Sequence, residues 1–134
     1  MARARRWVFT LNNWTEAERG MLVSANVPYI VFGKEIAPET GTPHLQGYLE
    51  LCDRGSTLSA IKKKLGVPRI HLEQARGTPE QCIAYCSKEG DVFHQGNRNW
   101  ARVPAVIWHE LENLYGQELE YRTYLEWEKT HYHM

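Results

Sequence analysis

His44 and Gln46 stand two residues apart in the run His44-Leu-Gln-Gly-Tyr-Leu-Glu50, and Tyr85 and Lys88 stand three apart in Tyr85-Cys-Ser-Lys-Glu-Gly90. Side chains two apart on a strand leave the same face, so an imidazole nitrogen and an amide carbonyl oxygen could share one metal ion. Side chains three apart on a helix are neighbours, so a phenol lies beside an ammonium. A nucleophile beside a cation is what phosphodiester transesterification needs. A free tyrosine, with a pKa of about 10, attacks poorly unless positive charge favours the phenolate or neutralises the pentavalent transition state. Glu35, on the preceding strand-like run and joined to His44 through the turn Pro38–Pro43, can add a carboxylate. The set Glu35, His44 and Gln46 is mostly oxygen, which with open positions favours Mg²⁺ or Mn²⁺ over zinc. Taken singly, each residue has a plainer reading: a strand histidine as bystander, a tyrosine beside Ile83 and Ala84 as core, a helix lysine as a solvated charge.

These residues need elements to hold them. Apolar and β-branched residues alternate or cluster over Arg6–Leu11, Tyr29–Ile36, His44–Leu51 and Ile70–Gln74, with a weaker run at Asp91–His94; these lengths fit strands. Thr15 can N-cap a helix over Glu16–Ser24, with Glu18 completing a capping box. Ser56 or Thr57 can start a second helix that runs through Leu65 and stops at Gly66. Thr78-Pro79 opens a third, running to about Lys88 and ended by Gly90. The order strand, helix, strand, strand, helix, strand, helix, strand implies an α+β fold, an antiparallel sheet with helices packed against it. In Phe9-Thr-Leu-Asn-Asn13, Phe9 and Leu11 should face inward and Asn12-Asn13 should turn. Gly96-Asn-Arg-Asn99 reads as a boundary between a domain over 1–96 and a helical C-terminal extension over 97–134. In the extension Val106, Ile107, Leu111 and Leu114, then Tyr121, Tyr124 and Leu125, recur at helical spacing around a break at Gly116.

The chain has 134 residues and a formal net charge of zero, which argues against a protein that simply coats nucleic acid. Charge is local instead: Arg3, Arg5 and Arg6, and Lys62, Lys63 and Lys64, are candidates for phosphate contacts. Three cysteines, Cys52, Cys82 and Cys86, make neither a disulfide framework nor a zinc ribbon, and a reducing compartment follows. With no apolar run of membrane-spanning length and no signal-peptide core, a soluble intracellular protein is expected. No GxxxxGK[ST] phosphate loop occurs, so no ATPase is expected.

In order, Phe9-Thr-Leu-Asn-Asn13, His44-Leu-Gln-Gly-Tyr-Leu-Glu50 and Tyr85-Cys-Ser-Lys-Glu-Gly90 resemble the replication-initiator (Rep) proteins of small circular single-stranded DNA viruses, the circovirus and nanovirus group within the HUH endonuclease superfamily. The resemblance runs over residues 5–96. It implies a five-stranded sheet of ferredoxin-like or RRM-like type. It also implies a metal-dependent, sequence-specific single-stranded DNA endonuclease and strand-joining enzyme that starts rolling-circle replication through a 5′-phosphotyrosine intermediate. Tyr85 would be the nucleophile, Lys88 its cation, and Glu35, His44 and Gln46 the ligands of Mg²⁺ or Mn²⁺. The superfamily is named for two histidines flanking a hydrophobe; Gln46 stands in for the second, as in circovirus-like members, which should weaken metal affinity. By the same resemblance Thr10, Asn12 and Asn13 help recognise origin DNA, and the segment holding His71 and Arg76 lies near it. The partner would be single-stranded DNA in the loop of an origin hairpin, in the host nucleus, with no membrane association. Full-length relatives continue into an oligomerisation segment and a superfamily 3 helicase domain, which implies a homo-oligomer of the longer protein.

Two other classes use the same residues differently. A non-catalytic RRM-like binder of single-stranded nucleic acid would show exposed aromatic residues on adjacent central strands. A metal-dependent hydrolase would attack with water and leave no protein adduct.

Overall fold

The computed structural model describes residues 2–52, 55–96 and 98. The elements run β1 (Arg6–Asn12), α1 (Glu16–Val23), β2 (Tyr29–Ile36), β3 (Pro43–Glu50), α2 (Leu58–Leu65), β4 (His71–Gln74), α3 (Pro79–Cys86) and β5 (Val92–Gly96). The five strands form one sheet in the order β4-β1-β3-β2-β5, and every neighbouring pair is antiparallel. The α+β fold expected from the sequence is therefore the fold observed. The helical extension expected over 97–134 lies outside the described residues, Arg98 excepted.

Period-two alternation divides the sheet into two dissimilar faces. Trp7, Phe9 and Leu11 of β1, Ile30 and Phe32 of β2, Leu45 and Leu49 of β3 and Leu72 of β4 share a core with Leu22 of α1 and Ile61 and Leu65 of α2. Each large apolar side chain buried there contributes on the order of 1.5–3 kcal/mol. The opposite face carries a smaller core, in which Tyr29, Val31 and Tyr48 pack with Cys82 and Cys86 of α3. Helix α3 packs on β2 and β3. Beyond it on that face, Thr10 of β1 is half-buried and His71 and Glu73 of β4 are exposed.

Local signals set the helix ends. Thr15 and Glu18 form a reciprocal capping box at α1, and Thr78 and Gln81 form another at α3, where Pro79 occupies the first turn. Gly66 ends α2 with φ of 72°, in the left-handed region that glycine enters without cost. Helix α3 stops at Cys86, two residues before the end expected at Lys88. The reason is a tightening of the last turn: Ser87 N–H reaches both Ile83 O and Ala84 O at 3.1 Å, and Ser87 Oγ donates to Ile83 O at 2.7 Å. Strand β5 sits slightly later than the expected Asp91–His94, because its ladder to β2 begins with Val92 opposite Gly33 and ends with Gly96 opposite Tyr29.

Asn12 remains in β1, opposite His44, and the chain turns at Asn13, where φ is 50°. Arg69 fixes this turn. Its guanidinium donates to Asn12 O at 2.7 Å and Asn13 O at 3.0 Å while making a bidentate pair with Glu18 at 2.7 Å and 2.7 Å. That pairing, foremost, holds the Glu18 carboxyl down to about 2. A carboxyl depressed in the folded state stabilises the fold above its unfolded value, and the contribution is lost as pH falls through the carboxylate range towards 2. An NMR titration should find the Glu18 transition of Arg69→Ala returned towards the ordinary carboxylate range; an unmoved midpoint would mean that Arg69 is not its cause.

Candidate active site

The β2–β3 hairpin places Glu35 directly opposite His44, and β1 places Thr10 opposite Gln46. His44 Nε2 lies 3.1 Å from Glu35 Oε1. Gln46 Nε2 donates to Phe9 O at 3.2 Å, which fixes the amide so that Oε1 is the free end, and Thr10 Oγ1 donates to that oxygen at 3.3 Å. Oε1 keeps a second lone pair. An imidazole, a carboxylate and an oriented amide oxygen therefore meet on the face that carries α3.

Lys88 completes the cluster from the other motif. Its Nζ donates to both oxygens of Glu35 at 2.6 Å, although the residues are 53 apart in the chain. It also lies 3.7 Å from the centroid of the Tyr85 ring and 3.3 Å from Tyr85 O. The expected one-turn relation of Tyr85 and Lys88 is thus met with a change of detail: Tyr85 is in the last turn of α3, and Lys88 is in the turn that follows. The Glu35 side chain is 5% exposed and that of His44 16%, whereas Tyr85 is 56% exposed. An enclosed carboxylate holds its cations in place, and the phenol faces outward, where a substrate can reach it.

Gly33 makes this approach possible. A Cβ there would fall 2.2 Å from Cys86 O, so only glycine lets the end of α3 rest on β2. Gly33→Ala should push Tyr85 and Lys88 away from Glu35, and a displacement near 1 Å is expected to slow catalysis about 10²-fold. Wild-type turnover in that variant would show that the close approach does not align the site.

Burial above all, with the neighbouring Cys82 and Glu35 next, pushes the Cys86 thiol up to about 12. It stays protonated and acts as a small apolar contact, in line with the reading of Cys82 and Cys86 as packing residues.

Residues expected at the nucleic acid divide by location. Thr10, Asn12 and His71 share the face that carries α3, His71 opposite Thr10, with His71 Nε2 3.2 Å from Glu73 Oε1. Asn13 forms the adjoining turn, and Arg76 is exposed just after β4. Arg3 donates to Gly55 O at 2.8 Å and Arg6 to Gly77 O at 2.7 Å, so those side chains also tie the N-terminal arm to the loops. Arg5 is exposed beside them. Lys62, Lys63 and Lys64 occupy the last turn of α2, in the layer across the sheet from Tyr85. They are not brought together with Glu35, Tyr85 and Lys88. Sequence reasoning passed over Gly33, Arg69 and the buried Glu50. Of these only Gly33 carried a signal, a glycine inside an apolar strand.

Among the described residues no group of three or more His, Cys, Asp and Glu side chains could hold a metal. The candidate ligand set depends on the amide of Gln46 as its third member, and its hard oxygen donors with one imidazole fit Mg²⁺ or Mn²⁺. The aromatic platform of an RRM-like binder is missing: Trp7, Phe9, Tyr29, Phe32 and Tyr48 are buried, and Tyr85 is the one exposed large aromatic among the described residues.

A model of the Viral_Rep family, viral replication proteins, matches residues 4–89. The chain is 45% identical over 107 residues to the replication-associated protein of canary circovirus, covering 73% of this chain and 36% of that protein. It is 47% identical over 92 residues to the replication-associated protein of beak and feather disease virus (66% and 30% covered) and 42% over 92 residues to that of porcine circovirus 2 (66% and 29%). The chain thus spans about a third of the length of the curated relatives it matches. The matched stretch holds the first two motifs, the third as far as Glu89, and the cluster they build, from Thr10 to Lys88, and the chain accordingly belongs to the viral replication protein (Rep) family of circular single-stranded DNA viruses.

Proposed function

We propose that this chain is a metal-dependent, sequence-specific single-stranded DNA endonuclease and strand-joining domain that initiates rolling-circle replication. One observation carries the reading: an exposed tyrosine lies against a lysine whose ammonium is clamped by a buried carboxylate, itself the cross-strand partner of His44.

In this reading Tyr85 Oη loses its proton and attacks the phosphorus of the scissile phosphodiester. The bond to the 3′ oxygen breaks, that oxygen takes up a proton to leave a free 3′-hydroxyl, and the 5′ end stays on the protein as a phosphotyrosine. Lys88 supplies positive charge beside the phenol, which offsets the crowded anionic transition state. Glu35 holds that lysine in position, and Thr10 and Phe9 O hold the Gln46 amide. Glu35, His44 and Gln46 Oε1 would hold Mg²⁺ or Mn²⁺, which when bound polarises the phosphate. Because one phosphodiester replaces another, the bond energy is kept, and a second 3′-hydroxyl can displace Tyr85 and close a circle without ATP. The substrate would be the loop of an origin hairpin, in the host nucleus.

Incubation with origin-loop DNA and Mn²⁺, followed by a denaturing gel, tests the reading. Cleavage with a protein-linked 5′ fragment is expected, and excess EDTA or His44→Ala should suppress both. Cleavage without an adduct would replace the tyrosine with water; binding without cleavage would leave a recognition module.

A further inference from the structure

The Lys88 ammonium engages both oxygens of the Glu35 carboxylate at 2.6 Å, so Nζ lies across the mouth of the group, where a chelated cation would also lie. Oε1 is the oxygen that faces His44 Nε2, at 3.1 Å. A divalent cation shared by Glu35 and His44 must therefore use an oxygen that Lys88 already uses. Carboxylate bonds to such an ion are about 2.0–2.1 Å for Mg²⁺, close enough for strong repulsion between the ion and the ammonium. Enclosure sharpens the conflict, because the Glu35 side chain is 5% exposed and little water screens the two positive charges. Among the described residues no third His, Cys, Asp or Glu joins Glu35 and His44 to hold a cation, so one negative charge must serve both. The lysine has a second place to rest. Its Nζ also lies 3.7 Å from the centroid of the Tyr85 ring and 3.3 Å from Tyr85 O.

We propose that Lys88 and the divalent cation compete for Glu35: the lysine keeps metal affinity low, and metal binding in turn loosens the ammonium from Glu35 towards Tyr85 and the scissile phosphate. The inference rests on the metal-dependent reading above. Coupling of this kind is reciprocal, since the free energy by which Lys88 weakens metal binding is the free energy by which the metal weakens the pair of Lys88 with Glu35. The two cationic groups of the site are thereby tied to one event, and the ammonium turns to the substrate when the metal is in place.

In the test Mn²⁺ is titrated by calorimetry into the whole 134-residue chain without DNA, so that no readout depends on cleavage. Lys88→Met and Lys88→Gln should each bind at least about tenfold more tightly than the wild type, while Lys88→Arg, which keeps the charge, should stay within about threefold of it. Thermal unfolding shows that each variant folds and reads the same difference, as a larger rise in Tm with Mn²⁺ for the neutral variants. In a Glu35→Gln background the gain from Lys88→Met should largely vanish, because the competition runs through that carboxylate. The reciprocal arm follows the Lys88 ammonium resonance by NMR, where exchange with water should quicken when Mg²⁺ is added. Equal or weaker Mn²⁺ binding by the neutral variants, or an undiminished gain in the Glu35→Gln background, overturns the competition and leaves the metal-dependent reading standing. Absence of Mn²⁺ binding in the wild type and in every Lys88 variant removes both together.

Discussion

Tyr85→Phe should bind its single-stranded target as the wild type does and cut it at least roughly 10⁴-fold more slowly, the scale of loss when an enzyme's attacking group is deleted. The phenyl ring remains, and with it the contact at 3.7 Å to Lys88 Nζ, so the ammonium keeps its place on Glu35. Only the hydroxyl goes, and on a side chain 56% exposed its loss orphans no buried partner. Stability should therefore be unchanged, which separates a chemical defect from a folding defect. Single-turnover cleavage and equilibrium binding, measured side by side, check this. Cleavage at the wild-type rate would move the nucleophile elsewhere, and cleavage without a covalent adduct in the wild type would assign the attack to water.

Much of this site could be read from the chain because its parts obey local rules. His44 and Gln46 obey strand alternation, and the six-residue connection from Ile36 to Pro43 folds the chain back as an antiparallel hairpin that brings Glu35 beside His44. The helix starts at Thr15, Thr57 and Thr78 are capping signals, legible from a few neighbouring residues. What could not be read is where separate elements touch. No spacing links Lys88 to Glu35, 53 residues away, and the end of α3 is drawn onto β2 by a missing side chain at Gly33 as much as by any attraction. Arg69 joins α1 to the end of β1 through two backbone carbonyls, which carry no sequence signature at all. Composition does not place Lys62, Lys63 and Lys64 either: Ile61 and Leu65 face the core and fix that helix on the other side of the sheet from Tyr85.

Glu35→Gln should lower cleavage about 10³-fold with the fold intact, because one neutral oxygen and one amide donor replace a carboxylate that orients two cationic or cation-binding partners. The substitution keeps shape, so packing around a side chain 5% exposed survives. It removes the charge that holds Lys88 Nζ at 2.6 Å from both oxygens, and the ammonium is freed to swing away from Tyr85. It also takes the only carboxylate from the candidate metal ligands, so activity in the variant should demand much higher Mn²⁺. The reciprocal change, Lys88→Met, should behave differently. It leaves the Glu35 charge enclosed without its strongest partner and should cost stability as well as rate, by less than the ~3–5 kcal/mol of a wholly buried pair, since the Lys88 side chain is 38% exposed to water. Comparing the two variants by thermal unfolding and single-turnover cleavage separates the roles. A Glu35→Gln chain that cuts at the wild-type rate and the wild-type Mn²⁺ requirement would show that Lys88 and His44 act without it, and the cluster would then be a structural ion pair beside the reaction instead of its centre.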